Sequence, residues 1–243
     1  MVMRLSVRFS FALVAVAILA VCSGTRTQAQ STASPTAGNG TYIATDPLAA
    51  VRYDNRYDLS LTAAYDHMKA GPTAHEGANL GGLDLDGSYW FSKHWAVEGS
   101  GRGYFGTSGV ANVNSTQQFV NGPFISEYFF TGGPEWLGPH NKHGALIAHV
   151  LVGGVYGNFQ QDLRTATPQE VGFYNNQFAP AAIVGGHMDL NRSAHWVFRI
   201  TPDAVFTRYS TNYAPSAYLS AGRFNDVNFA LSIGVEYKFR KKR

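Results

Sequence analysis

From residue 228 to 239 the chain alternates without a break. Phe229, Leu231, Ile233, Val235, Tyr237 and Phe239 fall on one face, and Asn228, Ala230, Ser232, Gly234, Glu236 and Lys238 on the other. Successive side chains of a strand point to opposite faces, so this segment reads as a strand with one apolar and one small, polar or charged face. The first patterned segment repeats the scheme: Tyr57, Leu59, Leu61, Ala63 and Tyr65 alternate with Asp58, Ser60, Thr62, Ala64 and Asp66. Six further candidates lie at 80–91, 95–106, 118–130, 145–157, 177–190 and 196–207, for a total of eight strands. Runs of about 9–14 residues exceed the 5 or 6 usual in soluble sheets and suit tilted strands that cross a bilayer. The expected fold is all-β: an eight-stranded antiparallel transmembrane β-barrel, an up-and-down meander over 55–239.

The connections support this independently. Those at 92–94 and 191–195 are short, whereas 67–79, 107–117, 158–176 and 208–226 are long, polar and rich in Asn, Gly, Ser and Thr. Short turns on one side and long loops on the other are the mark of an outer-membrane barrel. One connection breaks the rule: 131–144 is expected to be a loop where a short turn belongs, with Gly132-Gly133-Pro134 and Gly138-Pro139 as its turn signals. Pro123, Pro180 and Pro202 fall inside strand candidates, and each removes a ladder donor. Bulges or interrupted ladders are therefore expected there.

Only 14% of residues are charged, against about a quarter in an ordinary soluble domain. A soluble barrel with this apolar face inside would need many more charges on its outer face. With the faces reversed, the sparse charges line a narrow lumen, and lipid requires the strands to close. Aromatics gather near the strand ends (Tyr57, Tyr65, Tyr89, Phe91, Trp95, Phe105, Tyr156, Phe178, Trp196, Phe206, Tyr237 and Phe239), as girdles at two interfaces do.

Residues 1–29 read as a secretory signal, with Arg4 and Arg8 ahead of an apolar stretch and Thr27-Gln28-Ala29 as the cleavage site. A lipoprotein site at Cys22 is disfavoured by the bulky Val21 before it. Removing the leader takes away the one cysteine, and loss of Arg4, Arg8 and Arg26 brings the basic residues level with the 16 acidic ones. The high pI then says little about nucleic acid, and no nucleic-acid partner is expected. Residues 30–54 are polar, small and unpatterned, and are expected to be a flexible periplasmic lead-in. A basic tail, 240–243, either binds anionic lipid or is simply solvated.

The closing strand, Ser232-Ile233-Gly234-Val235-Glu236-Tyr237-Lys238-Phe239, together with Gly87-Ser88-Tyr89-Trp90-Phe91 turning into Trp95-Ala96-Val97-Glu98-Gly99-Ser100-Gly101, resembles the outer-membrane β-barrel domain family of Gram-negative bacteria. These are the small eight-stranded barrels typified by OmpA and OmpX. Asn121-Gly122-Pro123-Phe124, followed by 144–154, is similar to the family's fourth and fifth strands. The resemblance implies that Ser232, Gly234, Tyr237 and Phe239 form an assembly signal read by the barrel-assembly machinery, and that outer-membrane lipid surrounds the barrel. Two departures matter: the basic tail follows the final aromatic, and no wall-binding domain follows the barrel.

Some barrels of this kind modify lipid A, with a His-x-Ser pair as catalytic core. None of the eight histidines here is followed two positions later by Ser. His187-Met188-Asp189 puts an imidazole and a carboxylate on one face without a nucleophile, which reads as a lumen hydrogen-bond network. His140, His143 and His149 lack a third ligand of defined geometry, so no metal and no cofactor are expected. Gly99, Gly101 and Gly103 face outward, either as a contact for lipid or a partner or to let the strand bend.

The residues expected to matter most are inside. Taking 92–94 as the turn, Arg102 lies across from Asp84 or Asp86, and all three share inward parity with Ser88, Glu98 and Ser100. An unpaired guanidinium there would cost several kcal/mol. A charge network of Asp84, Asp86, Glu98, Arg102, His187, Asp189, Arg199, Asp203 and Glu236 is therefore expected to fill the lumen. The functional expectation is a non-enzymatic barrel that contributes to envelope structure or displays long loops for surface interaction, with no surface partner legible. A porin-like conduit for small or apolar solutes is the alternative, and a lipid-modifying envelope enzyme the third.

Overall fold

The computed structural model describes residues 46–71, 77–108, 111–113, 118–120, 122–161, 163, 172–210 and 226–239. The expected signal at 1–29, the expected lead-in as far as residue 45 and the tail at 240–243 lie outside the described residues. Ten strands occur among the described residues: β1 (Tyr57–Lys69), β2 (Gly77–Trp90), β3 (Trp95–Thr107), β4 (Ala111–Val113), β5 (Gln118–Val120), β6 (Phe124–His140), β7 (Gly144–Asn158), β8 (Gln177–Asn191), β9 (Trp196–Thr207) and β10 (Asp226–Phe239). Eight form a closed antiparallel barrel in which β1 pairs with both β2 and β10, and β4 and β5 form a separate two-stranded ladder between β3 and β6.

Alternation decides which way each strand faces. Asp58, Ser60, Thr62 and Asp66 are buried while Tyr57, Leu59, Leu61 and Tyr65 are exposed. The same division continues around the barrel to Phe130 and Val152, which are 68% and 62% exposed. A belt of exposed large apolar side chains on every barrel strand is far more than a soluble monomer carries, and it is the lipid-facing wall of a transmembrane barrel. Aromatic rings gather at both ends of the belt, and Tyr128 and Trp136 join those expected from the sequence.

The fourth barrel strand differs from the expected 118–130. Residues 118–120 belong to the small ladder, and β6 runs from Phe124 through the expected loop to His140, leaving 141–143 as the turn. Every turn on that side is thus short. The Gly and Pro residues that signal turns sit instead where the β6–β7 ladder gives way. Pairing lapses between Gly132↔Val152 and Glu135↔His149, which spares Pro134 a donor, and the register shifts between Leu137 and His140 around Pro139. A Cβ on Gly133 would stand 2.0 Å from the Val150 oxygen, so the strands approach too closely there for any side chain.

The prolines expected to interrupt ladders behave differently from one another. Pro123 lies before β6 and accepts the Ser108 N–H through its carbonyl, so it interrupts nothing. Pro180 is in β8 but one residue past the last β8–β9 pair, Ala181↔Thr207, where no donor is needed from it. Only Pro202 breaks a ladder: β8–β9 pairing lapses between Gly185↔Asp203 and Met188↔Ile200, while β9–β10 pairing runs through Leu231↔Pro202.

Candidate functional site

The interior is filled in tiers. At the end of the barrel that carries the short turns, Arg199 grips Asp189 with two bonds, Nε to Oδ1 at 2.8 Å and Nη2 to Oδ2 at 3.1 Å. The same guanidinium reaches Glu236 Oε2 at 3.1 Å, and Lys238 Nζ lies 3.8 Å from Asp189 Oδ2. The Trp90 indole donates to Asp58 Oδ2 at 2.5 Å. Tyr53 closes this end from before β1: its hydroxyl donates to the Asn141 carbonyl at 3.0 Å, accepts from Asn191 Nδ2 at 2.8 Å, and its ring lies 4.6 Å from Lys238 Nζ. Burial raises its phenol above the usual tyrosine range. Residues 46–54, placed in the lead-in, are thus tied to the barrel. Lys142 also pairs there with Asp46, whose carboxyl is held low by the Leu48 N–H and then by Lys142.

The middle tier is centred on Arg102. The structure chooses Asp84 as its cross-strand partner, with Nε 3.2 Å from Oδ2, while Asp86 stands opposite Ser100 and accepts from Ser60. Arg102 Nη1 also crosses the lumen to Asp203 Oδ2 at 2.5 Å. Asp203 passes the contact on, since its Oδ1 is 2.9 Å from His149 Nε2, and His149 Nδ1 is 2.8 Å from Glu98 Oε2. His187 joins through Nε2 to Glu98 and Nδ1 to Thr201 Oγ1.

Above this lies an apolar tier, with Tyr104, Phe129, Leu151, Ile183 and Val205 fully buried. Phe159, Tyr174 and Tyr209 pack over it ring against ring, with centroids 5.0 to 5.7 Å apart. Tyr209 donates to Glu127 Oε1 at 2.5 Å, and burial, then that carboxylate, raises its phenol well above the ordinary range. A cavity near Tyr53, Asp58 and Trp90 measures only about 10 Å3, room for at most one water.

All nine residues expected in the lumen network, from Asp84 to Glu236, are buried inside the barrel, but they form two groups rather than one. His187 and Asp189 share a face without bonding each other: the first joins the Arg102 group, the second the Arg199 group. Sequence reasoning left out Tyr53, Asp58, Asp66, Glu127, Glu135, His149 and Lys238. Asp58, Asp66 and Lys238 stand on the small, polar or charged faces of the first and last segments, so parity alone places them inside. His149 lies near His140 and His143 in the sequence, yet its ring is buried in the lumen while theirs stay outside at the turn.

Within the expected assembly signal, Ser232 is buried and donates to Asp84 Oδ2, while Tyr237 and Phe239 face outward with rings 4.9 Å apart. Phe239 pairs in register with Tyr57 at the seam. Phe239→Ala is therefore expected to reduce outer-membrane barrel yield more than deletion of 240–243 does. Equal loss in both variants, read from the heat-modifiable band, would count against the role of the aromatic.

No protein-family model matches the chain, and no curated protein sequence matches it. Among solved structures it is similar to the outer-membrane protein OprG of Pseudomonas aeruginosa, with 15% identity, a TM-score of 0.50, and 79% of this chain covering 99% of that one. It is also similar to the attachment invasion locus protein Ail of Yersinia pestis (16% identity, TM-score 0.46, 76% of this chain and 99% of that one). A third likeness is the N-terminal β-barrel domain of Pseudomonas aeruginosa OprF (12%, 0.37, 75% and 97%). At such identities the likeness concerns the fold alone, that of the small eight-stranded outer-membrane barrels.

Proposed function

We propose that this chain is a non-enzymatic outer-membrane barrel that serves as a closed scaffold in the envelope and holds its long connections outside the cell for surface interaction. The observation that carries the reading is the filled lumen. Tyr53 and Trp90 cover one end, ion pairs cross the middle and packed rings fill the other, so a solute would have to break buried ion pairs to pass. An even strand count returns the chain to its starting side, which puts both barrel ends on the periplasmic face with the short turns. Outer-membrane lipid is then the partner of the apolar belt, and the barrel-assembly machinery a partner during biogenesis.

The test is electrical. Purified full-length barrel in planar lipid bilayers is expected to give no stable conductance steps, and the protein to fractionate with the outer membrane. Large, steady channels would overturn the closed scaffold and make a solute conduit the better reading. Lipid A of unchanged mass with and without the protein is expected as well; a changed mass would restore an enzymatic role.

A further inference from the structure

Glu98, His149 and His187 reach the mid-lumen from β3, β7 and β8, and all three are buried. Glu98 Oε2 is 2.8 Å from His149 Nδ1 and 3.3 Å from His187 Nε2, and the two ring nitrogens are 3.1 Å apart. We propose that this triangle is a binding site for one divalent transition-metal ion of the zinc class, held inside the barrel by Glu98 Oε2, His149 Nδ1 and His187 Nε2.

The spacing comes first. Two atoms each about 2.0–2.1 Å from a tetrahedral zinc stand roughly 3.3 Å from each other. Two edges of the triangle are already close to that, and the shortest needs to open by only about half an ångström. Two imidazoles and one carboxylate with a fourth position left over are also a common zinc ligand set.

The far sides of the rings supply a second argument. His149 Nε2 faces Asp203 Oδ1 at 2.9 Å, and His187 Nδ1 faces Thr201 Oγ1 at 2.8 Å. A proton donated outward on each ring turns the other nitrogen's lone pair toward the centre. Metal-binding histidines are held in this way, one ring nitrogen on the metal and the other on an oxygen. Asp203 is itself fixed by Arg102, so the His149 ring has a braced support.

Charge is the third. Buried carboxyl groups outnumber the buried cations Arg102, Arg199 and Lys238 among the described residues. Among the described residues Glu98 Oε1 has no hydrogen-bond partner, and Glu135 is paired in register with His149. A dication at the triangle offsets charge that these carboxyl groups must otherwise shed by holding protons. The site is enclosed, so the ion enters as the barrel closes around it.

The experiment uses the full chain without an affinity tag, refolded from urea into detergent micelles with Zn2+ or Co2+ and then washed with chelator. About one metal ion per folded chain is expected to remain, with visible absorption typical of low-coordinate Co2+. Glu98→Gln and His187→Ala are each expected to lower retention at least tenfold, as is Thr201→Val, which removes only the outer hydroxyl. Heat-modifiability reports which variants fold, and Thr201→Val, the mildest change, keeps the test decisive if the others do not. A double variant, His140→Ala with His143→Ala, removes two imidazoles at the β6–β7 turn, outside the lumen, and should retain the ion. No retained metal in the folded wild type, or undiminished retention in the folded triangle variants, would overturn the site and leave a purely protonic network. Either result leaves the closed-scaffold reading untouched.

Discussion

Arg102→Ala is expected to cost the barrel about 3–5 kcal/mol, the usual loss when one member of a buried ion pair is removed. The guanidinium serves two carboxylates at once, Asp84 on the neighbouring strand and Asp203 across the lumen, and all three side chains are fully enclosed. With Arg102 gone, Asp84 has no cation in contact among the described residues, and Asp203 keeps only the His149 ring. Most of the penalty is therefore the stranded negative charge, not the lost attraction. Urea unfolding in micelles, followed by tryptophan fluorescence, measures it. The contrast is Lys142→Ala: that ammonium and its partner Asp46 are 54% and 45% exposed, where an ion pair contributes at most about 1 kcal/mol. Similar midpoints for the two variants would mean that the lumen pair is solvated and the interior is not closed.

The second large effect lies at the seam. A Cβ placed on Gly234 would stand 2.2 Å from the Leu61 oxygen and 2.5 Å from the Thr62 Cα, both on the backbone of β1. β1 and β10 are the strands that close the barrel, with Thr62 opposite Gly234. No flexible side chain can swing away, so Gly234→Ala must push the seam apart. Overpacking of this kind costs about 1–3 kcal/mol in ordinary cores and more where backbone is the obstacle. Loss of most of the heat-modifiable band is expected. Gly101→Ala provides the control, since its Cβ would meet nothing within 4 Å on the lipid side. It should insert and migrate as the wild type does, and a similar loss in both variants would show that the seam is not the sensitive place.

The two variants also separate what is local from what is not. Gly234 and its neighbours are legible in the chain because a strand's period is two, and twelve residues of strict alternation leave no second way to face them. The partnership of Arg102 with Asp84 was narrowed to two candidates by the same logic, since a short turn fixes which residues lie opposite. β6 departs from its expected bounds for a local reason as well: Gly132, Gly133, Pro134, Gly138 and Pro139 are turn formers by themselves, and only the lapses in pairing with β7 make them tolerable in a strand.

Legible along the chain are the all-β class, the count of eight barrel strands with seven of them near their observed bounds, the outward face of the first and last strands, and two candidate partners for Arg102 across the first tight turn. These follow from spacing along one or two strands. Tertiary structure alone decided how the lumen is wired. Arg102 and Asp203 are 101 positions apart, His149 and Glu98 are 51, and Tyr53 reaches Asn191 over 138. Inward parity says that such side chains share a lumen, but not at which height or angle. That depends on the stagger of all the ladders around the closed barrel, and closure is a property of the whole ring, not of any segment within it.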